Sequence, residues 1–215
     1  ARPYENRDPR FAATIMPNNS TFQGRPVECW EGGADGPDKN NASRTGYYLL
    51  KYVDPELKLL QGQSAIHSWI IIRLGEIYLN YAEAMNEAYG PDAKGIYGKS
   101  AREAVNEVRG RVGMPDVVAD SKEEMREKIR HERRVELAFE DHRFWDVRRW
   151  MIAEQEGVMS GAMYGIKIYW INSSPQEFRY TPYLYENRTF TKKMYLHPFS
   201  TNEVNKGYLI QNPGY

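Results

Sequence analysis

The chain has 215 residues, 29 Lys and Arg against 29 Asp and Glu, and a single cysteine, Cys29. Zero formal charge argues against nucleic-acid binding, which needs a basic stripe to neutralise phosphates, and one thiol supplies neither an internal disulfide nor a thiolate metal cluster. No run of about 18 apolar residues occurs, so no segment reads as a membrane-spanning helix.

At this length one large domain, or one domain with long embellishments, is expected. The sequence opens on Ala1-Arg2-Pro3 with no Met, signal peptide or nearby lipidatable cysteine, so it reads as cut from a longer chain. The aromatic set is weighted to tyrosine, with 16 Tyr and 5 Trp against 7 Phe, and rings with a polar handle suit wet surfaces.

Residues 1–65 are rich in turn formers: Asn18-Asn19-Ser20, Gly32-Gly33 and Asp35-Gly36-Pro37-Asp38. Within them only Tyr47 to Val53 reads as extended, and Phe11, Phe22 and Trp30 offer apolar surface to pin the loops down. Residues 66–155 change to a helical period. Leu74, Tyr78, Tyr81, Met85 and Ala88 form one stripe, ended by Gly90-Pro91. A capping box at Ser100–Glu103 opens a second helix with Ala101, Ala104, Val105, Val108 and Val112 on its apolar side. Another box at Ser121–Glu124 starts a third, and a fourth is predicted from Trp145 to Ala153 after a break near Asp141. The Leu74-Gly75-Glu76-Ile77-Tyr78 start is that of a tetratricopeptide unit with a lengthened turn. Residues 156–215 read as a tail of loops and short strands, among them Ile166 to Ile171. The fold class predicted is therefore mainly α, tetratricopeptide-like helical hairpins with long loops and a few short strands.

Several catalytic patterns fail on spacing. Gly95 to Ser100 resembles a phosphate loop, but the first glycine stands three residues before Gly98 instead of five, and Ser100 already serves as a cap. His131-Glu132 begins a zinc-protease signature, yet Val135 occupies the second histidine's place. His67, His142 and His197 are scattered, no Gly-x-Ser-x-Gly elbow exists, and carboxylate pairs are too abundant to single one out. No catalytic residue, metal ligand or cofactor is assigned.

The densest charge lies between Ile129 and Trp150. At about 100° per residue, Glu132 and Glu136 fall within roughly 20° of Met125, and Ile129 and Phe139 within about 40°, so two carboxylates sit inside an apolar stripe. Such groups must be paired, and Arg143, Arg148 or Arg149 are the expected partners. Arginine partners lower a carboxyl's proton affinity, which favours a structural network over a general acid.

With these blocks in view, the chain resembles the SusD/RagB family. The resemblance rests on Arg73 to Ala84, Val105 to Pro115, Glu132 to Trp150 and the closing Gln211-Asn212-Pro213-Gly214-Tyr215, with further similarity at Arg7 to Phe11 and Thr45 to Tyr52. His197-Pro198-Phe199-Ser200 departs from the family's usual Trp-Pro-Ile-Pro, and Gly75 stands where alanine is usual. The resemblance implies a carboxy-terminal portion of a non-enzymatic outer-membrane lipoprotein, its lipid anchor on a missing amino-terminal part. It would bind oligosaccharide or polysaccharide and cap a SusC-like TonB-dependent transporter.

Because family ligand contacts lie on variable loops, site candidates come from this sequence alone. A sugar receptor needs aromatic platforms flanked by amides, acids or arginine. Trp30 is the first choice, with Glu31, Asp38, Asn40 and Arg44 in the same loop; the alternative is that Trp30 pins its own loop to the core. Tyr164 and Trp170 are the second choice, the alternative being a strand's buried face through Ile166, Ile168 and Trp170. Trp145 and Trp150 are expected in the core, and Tyr78 and Tyr81 in the hairpin stripe. Three functions stay open: nutrient capture, protein-only scaffolding through the hairpin groove, and a glycosidase with an unrecognised carboxylate pair.

Overall fold

A computed structural model describes residues 2–58 and 61–215; Ala1 of the opening tripeptide lies outside them. The amino-terminal loops carry a short helix α1 (Arg10–Thr14) and four two-residue strands, β1 (Ile15–Met16), β2 (Thr21–Phe22), β3 (Arg25–Pro26) and β4 (Tyr48–Leu49). β1 pairs antiparallel with β4, and β2 with β3. The helical section follows as α2 (Leu74–Tyr89), α3 (Ala101–Gly110), α4 (Lys122–Glu136) and α5 (His142–Arg149). A two-stranded hairpin, β5 (Gly161–Ser173) and β6 (Gln176–Arg188), leads to a single 3₁₀ turn and the short α6 (Thr201–Val204).

Local chemistry sets the helix ends. Ser100 accepts from the Glu103 N–H while Glu103 accepts from the Ser100 N–H, a complete capping box, and Ser121 accepts from the Glu124 N–H. α2 stops at Gly90, whose φ of 84° a side chain would resist. The first core joins α2, α3 and α4 through Leu79, Ala82, Met85, Ala104, Val105, Val108, Met125 and Ile129. On α2 the buried stripe is therefore Leu79, Ala82, Met85 and Asn86, with Tyr78 and Tyr81 at its margin, whereas Leu74 and Ala88 of the predicted stripe are exposed.

The two carboxylates inside the α4 stripe are buried, as their angles require. Glu136 receives Arg10 Nη1 at 2.8 Å, Arg73 Nη1 at 2.6 Å and Arg111 Nη2 at 2.9 Å. Glu132 lies 2.6 Å from Arg10 Nη1 and 2.7 Å from Arg109 Nη1. Glu140 takes Arg73 Nε at 2.7 Å and Lys51 Nζ at 2.5 Å. A Cβ on Gly75 would stand 2.4 Å from Arg73 Nη1, so this glycine leaves room for the guanidinium to cross. The predicted partners are corrected here. Arg149 pairs with Glu83 and Asp146, and neither Arg143 nor Arg148 forms an ion pair among the described residues. The reason is a left-handed turn: Phe139 and Asp141 both adopt φ 63°, which ends α4 at Glu136 and redirects α5 toward α2.

That turn also overturns three aromatic expectations. Phe139 leaves the helical stripe and is half exposed, and Trp145 is 61% exposed because the eight-residue α5 buries only Asp146 and Val147. Trp150 is only part-buried, its indole N–H donating to Glu83 at 2.7 Å between the guanidiniums of Arg130 and Arg149. α5 spans His142–Arg149, three residues earlier than predicted at its start.

The tail holds a longer element than predicted: β5 and β6 run 13 residues each, with Ile166 opposite Pro182 and Ile168 opposite Tyr180. Ile166, Ile168, Tyr180 and Phe178 pack on Val27, Cys29 and Trp30 as a second core. The Ile166 N–H donates to Thr45 O at 3.0 Å and Ile168 O accepts from Glu31 N at 2.9 Å, so the 28–46 loop borders the outer edge of β5. The backbone groups of the facing residues, Pro182 included, then point to the free edge of β6. Proline there removes one N–H from the row that another strand would need.

In the folded state burial pushes the Glu136 carboxyl up, but hydrogen bonds from Arg10 and Arg73 outweigh it and hold it below the usual carboxylate range; Arg73 and Lys51 do the same for Glu140. A depressed carboxyl adds stability above its unfolded pKa and loses it as pH falls through the folded value. Thermal melts should therefore be flat near neutrality and fall progressively below about pH 4.5. Glu136→Gln, which leaves three arginines around a neutral amide, should lower stability by about 3 kcal/mol and flatten that acid limb; an unchanged melting temperature would remove the network's structural role.

Candidate functional site

The 28–46 loop is knotted by its own acids. Asp35 accepts from the Glu28 N–H at 2.9 Å and from both terminal nitrogens of Arg25 at 2.7 Å, and Arg25 is the main cause holding its carboxyl below the usual range. The Cys29 N–H donates to Asn18 Oδ1 at 3.0 Å, and burial pushes the Cys29 thiol up to about 12. Gly33 packs too tightly for a side chain, since a Cβ would lie 2.4 Å from Glu28 O and 3.0 Å from the Trp30 ring. This geometry drives Trp30 inward.

Trp30 is 7% exposed, with Trp170 edge-on at 4.8 Å and Phe178 at 5.2 Å. The expectation of Trp30 as an open platform is thus corrected: both neighbouring rings occupy the space a ligand would need, and the residue anchors its loop. Trp170, 43% exposed, is the ring of this cluster that reaches solvent. Glu31 and Arg44 are exposed and meet Lys167 and Tyr183 in a shallow cleft of about 30 Å³, room for about one water. The Tyr183 hydroxyl donates to Arg44 O, tying that loop to β6. Asp38 is exposed and paired with Lys39 at 2.7 Å, and Asn40 lies exposed near the loop's tip. Tyr164 is 69% exposed, but six residues along β5 put it roughly 20 Å from Trp170, too far to share one sugar ring.

The structure thus joins Glu31 with Arg44, keeps Trp170 beside buried Trp30, and leaves Tyr164, Asp38 and Asn40 apart. It adds residues the sequence reading passed over. Lys167 stands 5.2 Å from the Tyr183 ring and Arg179 4.8 Å from the Tyr169 ring, on the hairpin face opposite Ile168. The alternation Lys167-Ile168-Tyr169-Trp170 carried that signal. A second recess of about 900 Å³ lies elsewhere, between Phe22–Gly24 and Tyr52–Lys58, where Gln23 donates to Leu57 O at 2.9 Å.

Buried Glu136 and Glu140 and half-buried Glu83 are all held below the usual carboxylate range by arginine or lysine partners that outweigh burial. Among the described residues no group of three His, Cys, Asp or Glu could hold a metal ion, and no helix is long and apolar enough to cross a membrane.

A set of tetratricopeptide-like hairpins carries a loop and ribbon surface of exposed aromatic, acidic and basic side chains. The chain belongs to the SusD family, whose model matches residues 1–215. A SusD-like protein of Bacteroides fragilis is 37% identical, with a TM-score of 0.82 over 99% of this chain and 40% of its own. A SusD-like carbohydrate-binding protein of the same species is 29% identical, with a TM-score of 0.72 over 94% of this chain and 41% of its own. The chain therefore spans about two fifths of the length of these solved relatives. No curated protein matches it.

Trp30→Ala should cost about 3–5 kcal/mol by emptying a buried aromatic site, whereas Trp170→Ala, losing edge contacts to Trp30 and Phe178 on a ring already 43% exposed, should cost about 1–2 kcal/mol. Urea titration of both variants checks the order, and equal losses would contradict the anchor role.

Proposed function

We propose that the protein is a cell-surface glycan receptor, lipid-anchored in the outer membrane, that delivers oligosaccharide to a SusC-like TonB-dependent transporter without cleaving it. Membership in the SusD family supports this, as does the carbohydrate-binding description of the 29%-identical relative. The structural observation that carries it is Trp170, a half-exposed indole on the two-stranded ribbon, with Glu31 and Arg44 exposed on the adjoining loop. An indole face covers the apolar side of a pyranose, and the charged groups hydrogen-bond hydroxyls.

Arginine-paired carboxylates make poor proton donors at neutral pH, which favours capture over hydrolysis. Calorimetric titration of a polysaccharide panel on the intact receptor should find a ligand whose affinity falls at least tenfold in Trp170→Ala, a variant that stays folded with its melting temperature lower by about 2–8 °C. Binding that survives both this change and Arg44→Ala would displace the site. Incubation with the same polysaccharide should release no new reducing ends, and steady turnover would overturn the receptor reading.

A further inference from the structure

The ribbon has two differently built faces. Ile166, Ile168, Phe178 and Tyr180 pack on the loop core, and Trp170 leans on Trp30 from that side. Alternation therefore puts Gly165, Lys167 and Tyr169 of β5, with Arg179, Thr181 and Tyr183 of β6, on the other face. Each cation there stands by a tyrosine: Lys167 Nζ is 5.2 Å from the Tyr183 ring, and the Arg179 guanidinium 4.8 Å from the Tyr169 ring. Lys167 and Arg179 are diagonal neighbours across the two strands, exposed and without an acid partner among the described residues. Gly165 completes the arrangement. A Cβ on it would stand 2.9 Å from Tyr183 Cε1, so the glycine lets that ring cross β5 and donate its hydroxyl to Arg44 O. The tie brings Arg44, exposed and likewise without an acid partner among the described residues, to the edge of this face beside Lys167.

Nearby acids among the described residues do not neutralise this group. Asp38 is held by Lys39 and Glu186 by Arg188, and Glu177 lines a separate recess at the ribbon's tip with Arg2 and Gln176. Glu31 shares the small cleft with Arg44 and Lys167 without pairing to either. Three cations on one small face repel one another, whereas elsewhere guanidiniums such as Arg25 and Arg102 are met by Asp35 and Asp92. An anionic partner would relieve that repulsion. A peptide strand is a poor match, because the 28–46 loop borders the edge of β5 and Pro182 interrupts that of β6. The partner must instead be read by the face, with tyrosine rings for the apolar side of a sugar and cations for its acid groups. Building on the receptor reading, which leaves the charge of the glycan open, we infer that this face is a second glycan-contact surface, back to back with the Trp170 site, and that it selects acidic polysaccharide. Carboxylate or sulfate groups meet Arg44, Lys167 and Arg179, and sugar rings lie against Tyr183 and Tyr169.

The test is calorimetric titration of the intact receptor with polygalacturonate, its methyl-esterified form and a sulfated galactan, added to the neutral members of the polysaccharide panel. One or both acidic polymers should bind about tenfold or more tightly than the neutral ester, and binding should weaken as salt is raised. Polygalacturonate against sulfated galactan distinguishes carboxylate from sulfate. Lys167→Gln/Arg179→Gln should lose about tenfold or more in affinity for the acidic polymer, with its melting temperature unchanged. Lys128→Gln/Lys192→Gln, which removes two exposed charges outside the ribbon, should bind as the parent does. Acid binding that the two double variants lower equally, or that neither lowers, overturns the inference. So does a need for Lys167 and Arg179 in binding anionic phospholipid vesicles but not polysaccharide. Binding confined to neutral polysaccharides overturns the acidic assignment and leaves the receptor reading intact, whereas no binding to any polysaccharide defeats both.

Discussion

One charge network holds distant parts of the chain in register. Glu132, Glu136 and Glu140 descend from α4 into its terminal turn, and the cations that satisfy them come from four separate places: Arg10 on α1, Lys51 after β4, Arg73 before α2, and Arg109 and Arg111 at the end of α3. A buried carboxylate without its partners is strongly destabilising, so each acid in effect specifies where a remote segment must dock. Arg10, itself nearly buried, bridges Glu132 and Glu136 and also binds Asp8, and this places the amino-terminal loops against the helices. The ribbon then attaches to those loops through Thr45 and Glu31. The ribbon and its bordering loop are thus held on a chain of contacts that begins at three glutamates.

Much of this was legible in the residues, and the failures have physical causes. The capping serines and the inward angle of Glu132 and Glu136 follow from local rules that tertiary structure rarely reverses. The identity of the guanidinium partners does not: Arg10 lies 126 residues from Glu136 in sequence, and proximity along the chain favoured Arg149 instead. The α2 stripe was read in part: Met85 is buried and Tyr78 and Tyr81 pack at the core's margin, whereas Leu74 and Ala88 are exposed and Leu79 and Ala82, left out of the stripe, are buried. Phe139 and Asp141 in left-handed conformation carry no glycine to announce the bend that ended α4 and exposed Trp145.

The candidate site was half readable. Composition identified the loop and its acids, and alternation identified the strand, but only the fold decides that Trp30 turns inward while Trp170 keeps part of its ring in water. Tyr183 reaches the loop through Arg44 O from 139 residues away. Contacts of that separation leave no local trace. The sequence alternatives for Trp30, platform or anchor, were resolved by Gly33 and Asp35, which tighten the loop until the indole has nowhere else to go.

The proline in β6 has a further consequence. A long two-stranded ribbon whose outer strand offered an unbroken row of amides would invite like molecules to zipper together wherever they stood side by side. Pro182 interrupts that row, and Glu177, Arg179, Glu186 and Arg188 add charges of both signs along the same strand. Many copies can therefore crowd at high local density without pairing along this edge.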